Sequence, residues 1–312
     1  MGAQAAALLD AGGPVGDVPD AAAVPGGSPG DGRPGDGRLT LDVPPGWVLA
    51  RTALRSGSVG LAPTAWDGAR LHLRLPDRVV VEPSGTVRWR GAAPGTAVLR
   101  RVLALDDDLE PLWEACDRVP SLRWVRPAGA GRALRAPTVW QDLVGVLAAT
   151  RTSYRSTQAM VRGLVGTGAF PGPDEVLHRD LTGWGYRGPR LRSLAERVLD
   201  GWDPERLLDP RVPDGQVHDE VRSLEGFGPF ATAALMPLLG RPRPLVLDGW
   251  LRDRLGDERQ VRERYAALGR WAGTGAELEA AAGRLRPGPP PTPTSSGDRA
   301  ATATAVDSGR RG

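Results

Sequence analysis

The chain has 312 residues, 40% of them apolar and 25% charged, which is enough for two domains of ordinary size with a buried core. No apolar run approaches the length of a membrane span, and the N-terminus lacks a basic-then-apolar signal peptide, so we expect no membrane partner. The net charge of +3 does not by itself indicate a nucleic-acid-binding protein, and the one cysteine, Cys116, excludes an internal disulfide framework and a four-cysteine iron–sulfur cluster.

The basic residues are all of one type. All forty are arginine, and the sequence contains no lysine. A high-GC coding bias is the simplest explanation for part of this usage. The chemical consequence is that no lysine amine can form a Schiff base in this chain.

Both ends of the chain have a low-complexity composition. Residues 1–38 and 286–312 consist largely of Gly, Ala, Pro, Asp, Ser and Thr with few large apolar side chains. Such segments cannot bury enough apolar surface to fold, so we predict two disordered tails. We interpret them as solvated linkers in preference to functional segments.

The first folded region is predicted to be an antiparallel β domain over residues 39–96. Leu71, Leu73 and Leu75 alternate with polar residues, a valine run follows at residues 79–81, and the alternation returns in Val87-Arg88-Trp89-Arg90. Alternation with period two is typical of strands with one buried face, and the Pro- and Gly-containing segments between the runs indicate turns. We expect this domain to act as a scaffold.

Helical periodicity begins at residues 97–116, which are predicted to form one helix. This helix includes three consecutive aspartates at positions 106–108. Adjacent helix positions point in different directions, so we interpret the aspartates as a solvated face or a local cap and not as a metal site. Further helices are predicted at residues 139–149, 154–164 and 189–199.

Residues 224–254 contain the most informative pattern. A Gly226-Phe227-Gly228 turn separates two segments with helical apolar spacing, and Pro229 occupies a position that suits the start of the second helix. The free amides at that helix start form an anion-binding position. Gly240 is predicted to end this helix, and Asp248 stands at the head of a further short helix.

This order of features resembles the helix-hairpin-helix DNA glycosylases, and most closely the 3-methyladenine and 8-oxoguanine branches without an iron–sulfur cluster. The hairpin and the aspartate about twenty residues later carry the resemblance over residues 97–255. The matching positions are Leu224, Gly226, Phe227, Gly228, Thr232, Ala233, Gly240, Asp248, Leu251 and Arg252.

The resemblance implies that Asp248 is the catalytic carboxylate. A carboxylate beside C1′ stabilises the oxocarbenium ion that develops as the base leaves, and it can orient the attacking water. An aspartate just before a helix is also an ordinary N-cap, and one side chain can perform both roles. Strand-cutting relatives carry a lysine where this chain has Phe230, so we expect no lysine-dependent lyase activity.

Three residues are candidates for contacts with the extruded base or with the space that it leaves. Phe230 and Trp250 can stack on a flipped base, and core packing is the alternative for each. Arg151 lies at or beside the position where relatives insert Gln or Asn into the duplex. An arginine can fill this role by stacking and hydrogen bonding, but a phosphate clamp or a plain surface position is equally compatible with the sequence.

The hairpin itself is expected to bind DNA. The resemblance implies phosphate contacts through Gly226, Phe227, Gly228, Pro229 and Thr232, and a K⁺ or Na⁺ ion at the backbone carbonyls of Glu225, Gly226 and Gly228. Phosphate contacts are also predicted for Arg187, Arg190 and Arg192, with a solvated face as the alternative.

The sequence therefore predicts an α+β protein with a small antiparallel β domain followed by a helical glycosylase domain over residues 97–285. The predicted function is hydrolytic removal of a damaged base, with alkylated bases among the candidates, from duplex DNA by a monofunctional enzyme. A non-catalytic DNA-damage-binding protein on the same fold is the alternative, and an unrelated helical enzyme is a third. We expect a monomer associated with the nucleoid in a bacterial cytoplasm.

Overall fold

The computed structural model describes residues 35–55, 57–75 and 77–286. Most of each segment predicted to be disordered lies outside the described residues. The described chain combines one antiparallel sheet with a larger set of helices, so the predicted α+β class is confirmed. None of the helices in this part of the chain is long and apolar enough to cross a membrane.

The sheet has five antiparallel strands in the order β1-β5-β4-β3-β2. Alternation holds as predicted, because Leu71 and Leu73 on β3 point into the core beside Val81 and Val79 on β4. The bounds are β1 Asp36–Thr40, β2 Ala65–Trp66, β3 Leu71–Arg74, β4 Arg78–Val81 and β5 Thr86–Arg90. Strand β1 begins before the predicted boundary at residue 39, since Asp36 pairs with Arg90 in the ladder.

A short helix that the sequence did not reveal interrupts the β region. Helix α1, Leu49–Arg55, buries Leu49 and Ala53 and packs against the last helix of the described chain, α13 (Ala282–Leu285). The Arg51 Nε atom donates to the Leu285 carbonyl oxygen at 3.0 Å. At the same end, Arg286 bonds to the Ser121 carbonyl oxygen, so the predicted C-terminal tail begins one residue too early.

The single helix predicted over residues 97–116 is wrong. The chain forms two helices, α2 (Thr96–Val102) and α3 (Glu110–Asp117), joined by a turn in which Ala104 has a positive φ of 52°. Each of the three aspartates in this turn has its own partner. Asp106 pairs with Arg100, Asp107 pairs with Arg135, and Asp108 accepts from the Glu110 amide. These separate bonds favour the turn over a continued helix.

The remaining helices follow the predicted periodicity closely. The two helices predicted at residues 139–149 and 154–164 are confirmed with ends shifted by one residue, and the helix predicted from residue 189 begins two residues earlier. The bounds are α4 Val139–Ala148, α5 Tyr154–Val165, α6 Pro173–Leu177, α7 Arg187–Leu199, α8 Asp214–Ser223, α9 Pro229–Leu235, α10 Gly249–Leu255, α11 Glu258–Tyr265 and α12 Ala272–Ala280.

Buried apolar side chains in the described residues form two clusters. The first joins the sheet, α1 to α3 and the helices from α10 onward, and the second joins α4 to α9. The two cores therefore do not follow the predicted boundary at residue 97, because the C-terminal helices return to pack beside the sheet. The chain passes from the second core back to the first between Leu239 and Leu247, next to Asp248.

Candidate functional site

The hairpin is formed by α8, residues 224–228 and α9. Gly226 has a φ of +93°, and a Cβ atom there would lie 2.8 Å from a Leu147 methyl group, so this position requires glycine. Gly228 differs, because its φ is −70° and a Cβ atom would meet only Arg222 Nη1 at 3.8 Å. Of the two glycines in the motif, the first is needed for the turn and the second leaves open space beside it.

The hairpin side chains divide into an inner and an outer set. Phe227 and Thr232 are buried in the second core, at 2% and 0% exposure, and therefore cannot offer their side chains to DNA. Pro229 and the Gly228 backbone are exposed at the start of α9. The predicted contacts through this hairpin thus depend on backbone groups, and the two inner residues support the turn.

Asp248 is the N-cap of α10. One carboxylate oxygen, Oδ1, accepts from the Leu251 amide at 2.9 Å. The other, Oδ2, lies 3.8 Å from Arg243 Nη2, which is an ion pair without a hydrogen bond. The side chain is 15% exposed. The cap therefore uses one oxygen and leaves the second available for another partner.

A surface groove and a deeper cavity meet at Asp248. The groove is lined by the hairpin, by residues 149–152 and by Tyr186, Arg190 and Arg222. The cavity, of about 120 Å³, extends inward between the two cores. The two spaces share four residues, namely Ala149, Phe230, Asp248 and Trp250. Tertiary folding thus brings together residues that are up to about a hundred positions apart in the sequence.

Arg151 is presented to the groove by a strained loop between α4 and α5. It is exposed and has a φ of 45°, the left-handed region that is costly for a residue with a side chain. The preceding residue is anchored, since the Thr150 hydroxyl donates to the Leu147 carbonyl oxygen at 2.8 Å. No hydrogen bond joins the Arg151 side chain to the described residues. The loop therefore places the Arg151 guanidinium at the groove without a hydrogen-bond partner among the described residues.

The arginines at the start of α7 have different environments. Arg187 is 7% exposed, and its guanidinium donates through Nε, at 3.0 Å, and through Nη2 to the Thr150 carbonyl oxygen. The predicted phosphate contact is therefore wrong for Arg187, because its charge is buried and supports the loop that carries Arg151. Arg192 bonds to the carbonyl oxygens of Leu177 and Arg179 and does not line the groove.

Arg190 does line the groove, together with an aromatic side chain that was not predicted as a site residue. Arg190 Nε lies 3.5 Å from Glu225 Oε1, and its guanidinium is 4.9 Å from the centroid of the Tyr186 ring. Tyr186 is 44% exposed and donates its hydroxyl hydrogen to the Thr150 carbonyl oxygen at 3.1 Å. A tyrosine directly before clustered arginines is the signal in the sequence that could have identified it.

Phe230 and Trp250 form the opening between groove and cavity. Phe230 is half-buried and belongs to neither of the two apolar clusters, which leaves its ring against the two open spaces. Trp250 packs partly against the first core, and the guanidinium groups of Arg254 and Arg284 lie 5.0 and 5.2 Å from its ring centroid. Core packing is thus part of the role of Trp250 but not of Phe230.

The cavity is also lined by buried charges that sequence analysis did not identify. Asp142 is 4% exposed and bonds to Arg101 and to the Ala136 amide, at 2.8 and 2.9 Å. Burial raises the pKa of Asp142 to about 7, and Arg101 only partly opposes this shift. Glu277 and Arg243 are also buried there. No local motif marks these residues, since they come from three separate segments.

The backbone carbonyls predicted to hold a monovalent cation lie beside an arginine. Arg222 Nη1 donates to the Phe227 carbonyl oxygen at 3.5 Å, and the Thr232 hydroxyl approaches the same oxygen at 3.5 Å. Arg222 also lines the groove and was not predicted as a site residue. It places a positive charge next to the hairpin loop, and the monovalent cation at Glu225, Gly226 and Gly228 stays a prediction.

Sequence comparison and structural comparison give different results. No family model matches the chain, and no similar protein was found among curated sequences. The structure is similar to an apo 8-oxoguanine glycosylase/lyase from Clostridium acetobutylicum, with a TM-score of 0.57 and 15% identity over 69% of this chain and 86% of that one.

Two other solved structures support the same conclusion. The Clostridium acetobutylicum enzyme in complex with double-stranded DNA containing cytosine opposite 8-oxoG has a TM-score of 0.54 and 15% identity, covering 70% of this chain and 86% of that one. The 3-methyladenine DNA glycosylase from Archaeoglobus fulgidus has a TM-score of 0.53 and 17% identity, covering 78% and 97%. With the hairpin and Asp248 in the arrangement described, the chain has the fold of the helix-hairpin-helix DNA glycosylases.

Proposed function

We propose that this protein is a DNA glycosylase that hydrolyses the N-glycosidic bond of a damaged base in duplex DNA. The observation that carries the proposal is the position of Asp248, whose carboxylate lies where the hairpin groove opens into the cavity. A nucleotide turned out of a duplex in the groove would place its base in the cavity and its sugar beside Asp248.

Duplex binding in the groove is supported by its chemistry. Backbone groups at Gly228 and Pro229 are exposed at the start of α9, and Arg151, Arg190 and Arg222 line the same groove. Backbone amides and arginines are the usual phosphate partners in protein–DNA contacts. Affinity should therefore fall steeply with salt, because each phosphate contact releases condensed counterions.

In the proposed mechanism, Asp248 acts through the oxygen that does not cap α10. As the base departs, positive charge develops on the sugar, and an ionised carboxylate held in place by the Leu251 amide would stabilise it without reorganisation. The same oxygen could orient the water that attacks C1′. Because the chain has no lysine, the expected product is an intact strand with an abasic site.

The decisive test is the Asp248→Asn variant. Asparagine caps a helix about as well as aspartate, so the fold and the affinity for duplex should be retained. Base release, measured as abasic-site formation on duplexes that each carry one modified base, should fall by about 100-fold or more because the charge facing the sugar is lost. Asp257→Asn is a matched control that should leave base release unchanged, since Asp257 caps α11 in the same way and lines neither the groove nor the cavity.

The alternative function, a non-catalytic damage-binding protein, gives a different outcome. Wild-type protein would then bind a lesion duplex tightly and release no base from any member of the panel.

A lyase reaction would also be recognised, because borohydride would trap a covalent complex during turnover. With no lysine in the chain, such a complex would have to form through the N-terminal amine.

A further inference from the structure

The lining of the cavity includes a group of buried opposite charges. Glu277 on α12, Arg55 on α1 and Arg243 before Asp248 are 8%, 4% and 5% exposed, and all three line the cavity. Burying charges is costly unless they are paired and hydrogen-bonded. If the role of this group is structural alone, nearly all of its donors and acceptors should therefore have hydrogen-bond partners within the protein.

Glu277 has unused acceptor capacity. Its Oε2 atom accepts from Arg55 Nη2 at 2.9 Å, and no other hydrogen bond to this carboxylate occurs within the described residues. Burial alone would raise the pKa of Glu277, but the charges of Arg55, Arg243 and Arg284 outweigh it and hold the pKa below its usual value. The side chain is thus an ionised acceptor at neutral pH, with room for a further donor.

Arg243 has unused donor capacity in the same cavity. Its Nη1 atom donates to the Ala233 carbonyl oxygen at 3.2 Å, while Nη2 approaches Asp248 Oδ2 only to 3.8 Å. Its Nε atom is buried and has no partner among the described residues. A guanidinium group has five N–H donors, so most of its hydrogen-bonding capacity is unused.

The charges around Glu277 are unequal. Arg55, Arg243 and Arg284 all line the cavity and act on this one carboxylate. Over the whole cavity lining, four arginines (Arg55, Arg135, Arg243 and Arg284) face three carboxylates (Asp142, Asp248 and Glu277), so a cationic base would meet an excess of positive charge, which is unfavourable at low dielectric. A neutral base with an electron-rich carbonyl oxygen would be favoured by the same charges.

We propose that Glu277 and Arg243 read one edge of the extruded base and select a neutral oxo-base with adjacent N–H and C=O groups. The N–H would donate to the Glu277 carboxylate, and the carbonyl oxygen would accept from Arg243. This inference rests on the proposed glycosylase function and narrows it to lactam bases such as hypoxanthine, uracil and 8-oxoguanine. Cationic alkylated bases such as 3-methyladenine are poor substrates.

The first experiment changes the base and leaves the protein intact. Duplexes with hypoxanthine, uracil, 8-oxoguanine or 3-methyladenine are compared, and the best neutral lactam is then compared with its N-methylated form, which lacks the N–H. Wild-type protein should release the lactam at least about tenfold faster than the methylated form, the value of one charged hydrogen bond. Preferred release of 3-methyladenine would overturn the inference and leave the glycosylase function intact.

The second experiment changes Glu277. Glu277→Gln should lower release of the lactam base by about tenfold or more while leaving release of its N-methylated form nearly unchanged. Glu263→Gln, on the exposed side of α11, is the matched control and should affect neither substrate. Equal losses on both substrates would show that Glu277 is structural and would overturn its recognition role.

A failure of the proposed function can be distinguished from a failure of this inference. If no base is released from any duplex, binding of free hypoxanthine and free 1-methylhypoxanthine to wild-type protein is measured by calorimetry. Tighter binding of the unmethylated base by about tenfold would support recognition by Glu277 and Arg243 in a protein that is not a glycosylase. Equal binding, or no binding of either base, would overturn the inference as well.

Discussion

The groove and the cavity are built in opposite ways. The groove is lined largely by a contiguous hairpin that exposes backbone groups at Gly228 and Pro229, together with Arg151, Arg190 and Arg222. The cavity is enclosed by distant segments, and its lining includes buried, paired side chains such as Arg55 and Glu277. A surface that contacts phosphates does not read the DNA sequence and can be built from one short segment of the chain. A pocket that distinguishes one base from another needs buried charged side chains, and burying them requires packing of distant segments.

The largest effects are expected from substitutions at the two hairpin glycines, one on stability and the other on duplex binding. Gly226→Val should lower the free energy of unfolding by about 2–4 kcal/mol, because it forces a β-branched residue to positive φ against Leu147. Gly228→Val should fold normally and lose about tenfold in duplex affinity, because it adds bulk where DNA approaches. Chemical denaturation and titration with duplex check the two effects. Wild-type affinity in a folded Gly228→Val protein would contradict a role for the hairpin in binding.

A second comparison separates the two arginines of α7. Arg187→Met should lower the free energy of unfolding by about 1–3 kcal/mol, since its bonds to the Thr150 carbonyl oxygen are lost inside the protein. Arg190→Met should leave stability nearly unchanged and reduce the slope of log affinity against log salt by about one. Denaturation curves and salt titrations give the two readouts. If Arg187→Met instead reduced the salt slope and Arg190→Met reduced stability, Arg187 would be a phosphate contact, as its position in the sequence suggests.

The smallest predicted effect concerns Arg151. Arg151→Gly should be more stable than Arg151→Ala by about 1 kcal/mol, because glycine accepts the φ of 45° without strain. Both variants should lose more affinity for a duplex containing an abasic site than for intact duplex, since only the former offers a vacancy for the side chain. Equal losses on the two duplexes would identify Arg151 as a phosphate contact.

Local sequence was a good guide where local forces decide the structure. Helix spacing, the Asp248 cap and the alternation of Leu71 and Leu73 were predicted because each depends on residues a few positions away. It failed at residues 103–109, where Asp107 pairs with the distant Arg135 and a turn replaces a helix. It failed again for Arg187, whose burial against Thr150 could not be read from a cluster of arginines.

The sequence by itself determined that this chain forms an α+β protein with a glycine hairpin, an aspartate at a helix start and no lysine for imine chemistry. These properties depend on residue type and on short spacings along the chain, which can be read without knowledge of the fold. Only the tertiary structure decided that the groove and the cavity meet at Asp248 and that Glu277 and Arg243 line the same cavity. The physical reason is that burial and charge pairing are set by which distant segments pack together, and no local pattern encodes that choice.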